Sequence, residues 1–201
     1  MDLNFTVDYI LENDKVLLRP LQLSDFQNLV HFSQKEPELW QYSLQSAAGI
    51  DGLMLYLNNA IKGRSQNREY PFIVFDKLKQ QYAGSTRFYD IQIANKTLQL
   101  GYTWYGKDFQ GTSINKNAKY LLLQLAFEQL DIIRVEFRAD NDNVKSIAAM
   151  KSIGCKVEGV LRSNMARTDG TRRDSIVLSI LKNEWFTEVK TLLEEKMNQL
   201  Q

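Results

Sequence analysis

Two hydrophobic periods alternate along this chain, and the points where one gives way to the other divide it into elements. Lys15 to Leu21 reads as a short first strand stopped by Pro20. Ser24-Asp25 then opens a helix with Phe26, Leu29, Val30 and Phe32 on its apolar face. Ala48 to Lys62 repeats the helical period with Ile50, Leu53, Met54, Leu57 and Ile61, and Gly63 is placed to end it. Tyr70–Phe75, Tyr82–Tyr89 and Leu98–Tyr105 follow as strands of an antiparallel meander. A helix-like run covers Ala118 to Leu130, with Ala118, Leu121, Leu122, Leu125 and Ala126 at helical spacing. Ile132–Arg138 is a strand again, and strand-helix-strand in this order predicts that it runs parallel to Leu98–Tyr105. Asp142-Asn143 caps a helix through Ile153, ended by Gly154. A hairpin, Lys156–Arg167 and Arg172–Leu181 about an Asp169-Gly170 turn, precedes a closing helix from Asn183 to Leu200. The expected fold class is α/β (α+β), a mixed and mostly antiparallel sheet with one parallel pair and flanking helices. Residues 1–14 show neither period and read as an N-terminal arm. The domain spans 15–181, and 182–201 is a C-terminal helix packed on it.

Composition narrows the field. The chain of 201 residues, 44% hydrophobic and 24% charged, has the make-up of a soluble globular domain. A net charge of +1 gives no strong pull toward nucleic acid or an anionic membrane, so neither is an expected partner. A single cysteine excludes an internal disulfide and a thiolate metal cluster, and no metal is expected. No apolar run approaches the ~20 residues that span a bilayer, and Met1-Asp2-Leu3-Asn4-Phe5 lacks a signal-peptide pattern, so the expected location is cytoplasmic.

The chemistry concentrates at Lys107–Lys119, between a strand and a helix start. Unpaired backbone N–H groups and the positive end of the helix dipole meet there, and small residues Gly111, Thr112 and Ser113 permit close approach. The expectation is a phosphate or pyrophosphate site, although neither the three-glycine dinucleotide fingerprint nor Gly-Lys-Ser/Thr is present.

Four separated segments carry a family resemblance: Gln110-Gly111-Thr112-Ser113-Ile114-Asn115-Lys116-Asn117-Ala118-Lys119, Arg134–Arg138, Asn143-Val144-Lys145-Ser146, and Ser152–Arg162. In this order they resemble the GNAT superfamily of acetyltransferases, and more closely the RimJ/RimL-like branch that acetylates ribosomal-protein N-termini. The resemblance covers roughly residues 15–181. It implies acetyl-CoA as co-substrate, with the pyrophosphate on backbone N–H groups near Gln110, Gly111, Thr112, Ser113, Ile114 and Asn115. It also implies that the two parallel strands splay, with the pantetheine arm between them pairing with the backbone near Thr103 and Trp104. Asn143 matches the position whose side chain bonds that arm, a role compatible with a plain N-cap. Ser146 matches the family serine and is the candidate donor to the leaving thiolate, or else a serine that merely faces the CoA or solvent.

The sequence departs from the family pattern in four places. Ser113 replaces a usual glycine, Met150 a tyrosine acid, Gln99 a strand carboxylate and Met165 a glutamate, which leaves no general base at a family position. A water chain is the remaining route for the proton. His31 reads as surface or packing, Cys155 as a buried small hydrophobe. Arg162, Arg167, Arg172 and Arg173 could meet an acidic substrate or the CoA phosphates, but the interleaved Asp169 and Asp174 favour a solvated hairpin tip. The resulting expectation is acetyl transfer to a primary amine by direct attack in a ternary complex. The acceptor is a protein N-terminus, a polyamine, an amino sugar or an antibiotic, and a homodimer is left open. The alternative, suggested by the missing tyrosine and carboxylates, is a non-catalytic acyl-CoA-binding module. Glu36–Tyr42 and the Arg162–Arg173 hairpin are the expected seats of acceptor choice.

Overall fold

The period-2 runs fold into one eight-stranded sheet of order β1-β2-β3-β4-β5-β6-β8-β7. The computed structural model describes residues 3–167 and 170–199. The strands are β1 (Leu11–Glu12), β2 (Val16–Pro20), β3 (Tyr70–Asp76), β4 (Gln81–Gln92), β5 (Thr97–Tyr105), β6 (Arg134–Asp140), β7 (Lys156–Ala166) and β8 (Arg172–Leu181). All neighbours are antiparallel except β5 and β6. That parallel pair holds over Thr97↔Arg134, Leu98↔Val135 and Gln99↔Glu136 and then ends. Beyond it β5 stays with β4 and β6 stays with β8, so a wedge opens between the two strands.

A bulge sits on the β5 side of the wedge. Ser85 pairs with Trp104 and Arg87 with Gly101, so Tyr102 and Thr103 together face the single Thr86. Tyr102 absorbs the extra residue at φ 48°, an uncommon conformation for a bulky side chain. The bulge decides which side chains reach which face. Trp104 points to the face covered by α1 (Phe26–Lys35) and α2 (Gly49–Ser65), against Phe32, Trp40 and Tyr56. Thr103 points to the opposite face, under α3 (Ile114–Gln124). α3 continues into a π turn, Leu125–Gln129, and packs against the C-terminal segment, where Phe127 stacks on Trp185. α4 (Val144–Ser152) links β6 to β7.

Several elements differ from the periodic reading. α2 runs through Gly63 to Ser65 and buries Leu53, Tyr56, Leu57 and Ala60, leaving Ile50 and Met54 exposed. Its face is turned because Tyr56 reaches inward to the Ser85 hydroxyl and stacks under Arg87. Gly63 instead lies tight against the Glu69 side chain, and Asn67 takes the left-handed turn that ends the segment. α3 begins at Ile114, four residues before the apolar stripe. The first residues are less detached than an arm: Leu3 and Phe5 are buried and Leu11–Glu12 adds an edge strand. The closing segment comprises α5 (Lys182–Glu184), a π turn (Trp185–Val189) and α6 (Lys190–Gln199). Leu200, and Asp169 of the hairpin turn, lie outside the described residues.

Candidate active site

The loop after β5 is built to present donors. Gly111 has φ +74° and nothing within 4 Å of where a Cβ would stand, so the backbone is open to a close neighbour there. The Thr112 hydroxyl donates to Phe109 O at 2.7 Å, and the Gln110 amide to Tyr105 O at 2.9 Å, which fix the loop from inside. The Ser113 side chain does not cap the helix. Backbone N–H groups of Gly111, Thr112, Ser113, Asn115 and Lys116 donate to no protein acceptor among the described residues. Ile114 differs: its side chain is buried and its N–H makes a long 3.4 Å contact to the Thr112 hydroxyl. Convergent free donors at a helix N-terminus are the chemistry a pyrophosphate needs. The loop is also tied to the segment that follows α1, since Lys107 N donates to Glu36 at 2.8 Å and the Lys107 ammonium pairs with Glu38.

The wedge leads away from this loop. Residues 100–105 of β5 have no partner strand on their β6 side, so backbone groups there face the gap. The side chains of Thr103 and Trp104 are committed inward, and only their main chain is offered to a bound arm. On the β6 side, Asn143 caps α4 by accepting from Ser146 N at 3.1 Å, which uses its carbonyl oxygen and leaves its amide donors without a protein partner among the described residues. Ser146 is half-buried one turn on, its hydroxyl unbonded among the described residues. The structure thus brings Asn143 and Ser146 together at the end of β6, with the loop of free N–H donors at the end of β5.

Pattern reading missed Lys119. It is 4% exposed, and its Nζ bonds Thr103 Oγ1 at 2.7 Å and Thr86 Oγ1 at 3.3 Å, with no carboxylate in reach. The Phe137 ring lies 5.9 Å away across the wedge. Burial without a counter-ion pulls the ammonium down to about 7, and only the nearby Cys155 sulfur opposes this. Lys119 is three residues before Leu122 and seven before Ala126, on the buried face, and that spacing was the available signal. Cys155 is itself buried and pushed up to about 12 by desolvation, so it is no nucleophile.

The α1–α2 face of the wedge carries a polar cluster. Tyr89 and Tyr102 meet edge to face at 5.0 Å, both hydroxyls held well above the ordinary range by burial. Arg87, 1% exposed, bonds Glu69 at 2.6 Å and is sandwiched by the Tyr56 and Tyr102 rings at 4.7 and 4.3 Å. Its Nε and Nη2 have no partner among the described residues. Gln99 donates to Asp90 at 2.7 Å, and Glu136 stands beside Gln99 in register, held by Arg134 and Arg138. Carboxylates therefore flank the position that lacks one. Met150 is buried, and Met165 lies on an exposed stretch of β7. Trp40 closes this face against Trp104, ring centroids 5.0 Å apart. His31 is exposed and packs on Phe32. The expectation of a solvated arginine tip fails for Arg173, which is 5% exposed because its strand position turns it under the loop that follows α1. Arg167 pairs with Asp140 and Asp142, and Arg172 bonds Ser163.

The sequence and the fold are similar to those of known proteins. Residues 15–156 match the model of an acetyltransferase (GNAT) domain. A Bacillus subtilis protein, YdaF, named as a ribosomal N-acetyltransferase, is 33% identical over 105 residues, which cover 52% of this chain and 56% of YdaF. An acetyltransferase structure from T. thermophilus is 31% identical, with TM-score 0.85 over 95% of this chain and 98% of the other. The microcin C7 self-immunity acetyltransferase MccE, solved in complex with acetyl-CoA and AMP, is 25% identical, with TM-score 0.75 over 84% and 93% of the two chains. Among the described residues there is no cluster of metal-binding side chains, and no helix is long and apolar enough to cross a membrane.

Proposed function

We infer the function from one premise, that this chain belongs to the GNAT acetyltransferase family and is an acyltransferase. We propose that it moves acetyl from acetyl-CoA to a primary amine by direct attack in a ternary complex. The observation that carries the proposal is the set of free N–H donors at 111–116 beside strands that part after Gln99. The donors would hold the pyrophosphate, with Gln110, Thr112 and Ile114 shaping the loop. Main-chain groups of Thr103 and Trp104 and the Asn143 amide would hold the pantetheine arm. Ser146 would donate to the leaving thiolate. Lys119 keeps Thr103 and the bulge in place from beneath.

The amine proton leaves through water, since Glu136 is engaged by two arginines and Gln99 is no base. Positioning carries most of the rate, with acid–base help typically worth ~10²–10⁴-fold. The name of YdaF supports a protein N-terminus as the first acceptor to try, ahead of polyamines, amino sugars and antibiotics. Residues 15–181 would form the catalytic unit, with the described parts of the flanking segments packed on it, and the cytoplasm would supply both substrates.

The test is release of CoA thiol from acetyl-CoA on a panel of these amines, with Ser146→Ala alongside. Amine-dependent release that Ser146→Ala slows supports both the transfer and the role of Ser146. Transfer unaffected by the variant removes only Ser146. Binding of acetyl-CoA with no release for any amine would favour the second reading, an acyl-CoA-binding module, which the Met150 and Gln99 replacements support.

A further inference from the structure

The α1–α2 face of the wedge holds a buried arginine that makes no direct ion pair among the described residues. Arg173 is buried, its Nε donates to Ser175 Oγ at 3.0 Å, and its Nη1 to the Tyr42 carbonyl at 3.3 Å. Neither partner is charged. Asp140 acts on Arg173 only through space, because Nε and Nη2 of Arg167 take its two oxygens at 2.8 and 2.9 Å. Asp142 is bound by the same Arg167. Arg138, which also bears on this region, is committed to Glu136 at 2.6 Å. Arg173 makes no ion pair among the described residues, and its Nη2 has no protein acceptor there.

Desolvating a guanidinium without a bonded counter-ion is costly, and an anion brought to its open Nη2 would offset that cost. The site is positioned for one. Arg173 shares a sheet face with Ser175, with Arg138 across β6 and with Tyr89 and Tyr102 beyond, while the 36–48 loop covers it through Tyr42. Arg87 adds a second, fully buried guanidinium beyond Tyr102, with two donors unused. This is the face on which an amine would reach the open wedge.

We propose that Arg173 is a specificity residue that receives an oxyanion of the acceptor, so that the preferred substrate is a primary amine bearing a carboxylate or phosphoryl group. This rests on the acetyl-transfer reading and names its substrate class. A planar fork fits two oxygens at once, which a lysine would not do. Acceptors of this class include peptides with an acidic residue just behind the N-terminus.

The experiment compares matched acceptors with and without the anion: β-alanine against β-alaninamide, O-phosphoethanolamine against ethanolamine, and Ser-Asp-amide against Ser-Asn-amide. Charge-assisted bonds of this kind discriminate by roughly 10- to 100-fold, so the anionic partner of at least one pair should show kcat/KM higher by that factor. The pair that discriminates tells carboxylate from phosphoryl. Arg173→Gln should erase the preference while leaving the acetyl-CoA Kd and the neutral-amine kcat/KM within about twofold, and Arg173→Lys should restore part of it. Equal rates within every pair would overturn the proposal. So would an Arg173→Gln variant that loses neutral and anionic acceptors alike, since Arg173 would then only pin the Tyr42 carbonyl. If acetyl-CoA binds but no amine turns over, the transfer reading fails by itself. Titration of the acetyl-CoA complex with O-phosphoethanolamine and β-alanine then decides the subsite: binding that Arg173→Gln removes supports it, and no binding overturns it.

Discussion

Lys119 shows how a single residue sets the terms of this site. Its amine sits between two threonine hydroxyls, with no carboxylate to stabilise the charged form, so folding favours the neutral one. The unfolded side chain titrates near 10.5 and the folded one near 7. Below pH 7 both states carry the proton and the full desolvation cost applies. Between these values the unfolded chain binds more protons, so stability rises with pH, by about 1 kcal/mol per unit. Above about 9 the raised Cys155 works in the opposite sense, because the unfolded thiol ionises first. The window in which Lys119 dominates is therefore pH 7 to 9. Lys119→Met should be more stable than wild type at pH 7, and the difference should shrink toward pH 9 in urea titrations at matched pH. A constant difference would mean that the lysine is charged in the folded protein throughout. Nothing in the residue's type foretold burial. Its spacing against Leu122 and Ala126 points to the buried face, but only the hydroxyls of the strands beneath show how a lysine is accommodated there.

At the scale of elements, the strands were legible because their alternation is clear, and the parallel pairing followed from the order strand, helix, strand. What could not be read was the bulge at Tyr102, which depends on β4 and β5 meeting out of step. That one residue sends Trp104 toward the helices and Thr103 toward Lys119. α2 illustrates the same limit: Leu53 and Leu57 fit a helical stripe with Ile50 and Met54 or with Tyr56 and Ala60, and a contact to Ser85 decides for Tyr56. Arg173 was misread because a charged residue near a hairpin end is usually solvated, and only the 36–48 loop folding over it makes it otherwise. That loop carries its own prediction. Trp40 is buried against Trp104, and Trp40→Ala should destabilise the protein by about 3–5 kcal/mol in denaturant titration. Trp40→Phe should keep most of that stability, yet change the KM for the amine more than the Kd for acetyl-CoA. Equal changes in both would reduce Trp40 to packing.

For the whole molecule, the proposed activity depends on a division of labour between the two faces of one sheet. The donor loop and α3 lie at one end of the wedge, and the tyrosine–arginine cluster lies on the α1–α2 face. Lys107 joins the two through Glu36 and Glu38, so the loop proposed to hold acetyl-CoA is linked to the loop that covers Arg173. The positions of the 107–113 loop, Asn143 and Ser146 were legible because local chain order places them, one after a strand and the others at a helix start. The tyrosine–arginine face was not, because it is assembled from β4, β5, β6, β8 and two loops far apart in sequence.

Calorimetric titration with acetyl-CoA, with Ser113→Glu measured beside wild type, tests the central claim most directly. The free N–H groups around Ser113 predict binding by the wild-type protein, and a carboxylate placed among them should weaken it by at least about tenfold while the folded circular dichroism spectrum is retained. Wild-type binding that Ser113→Glu leaves unchanged would contradict the placement of the pyrophosphate on this loop, and no binding by either protein would contradict acetyl-CoA as the donor.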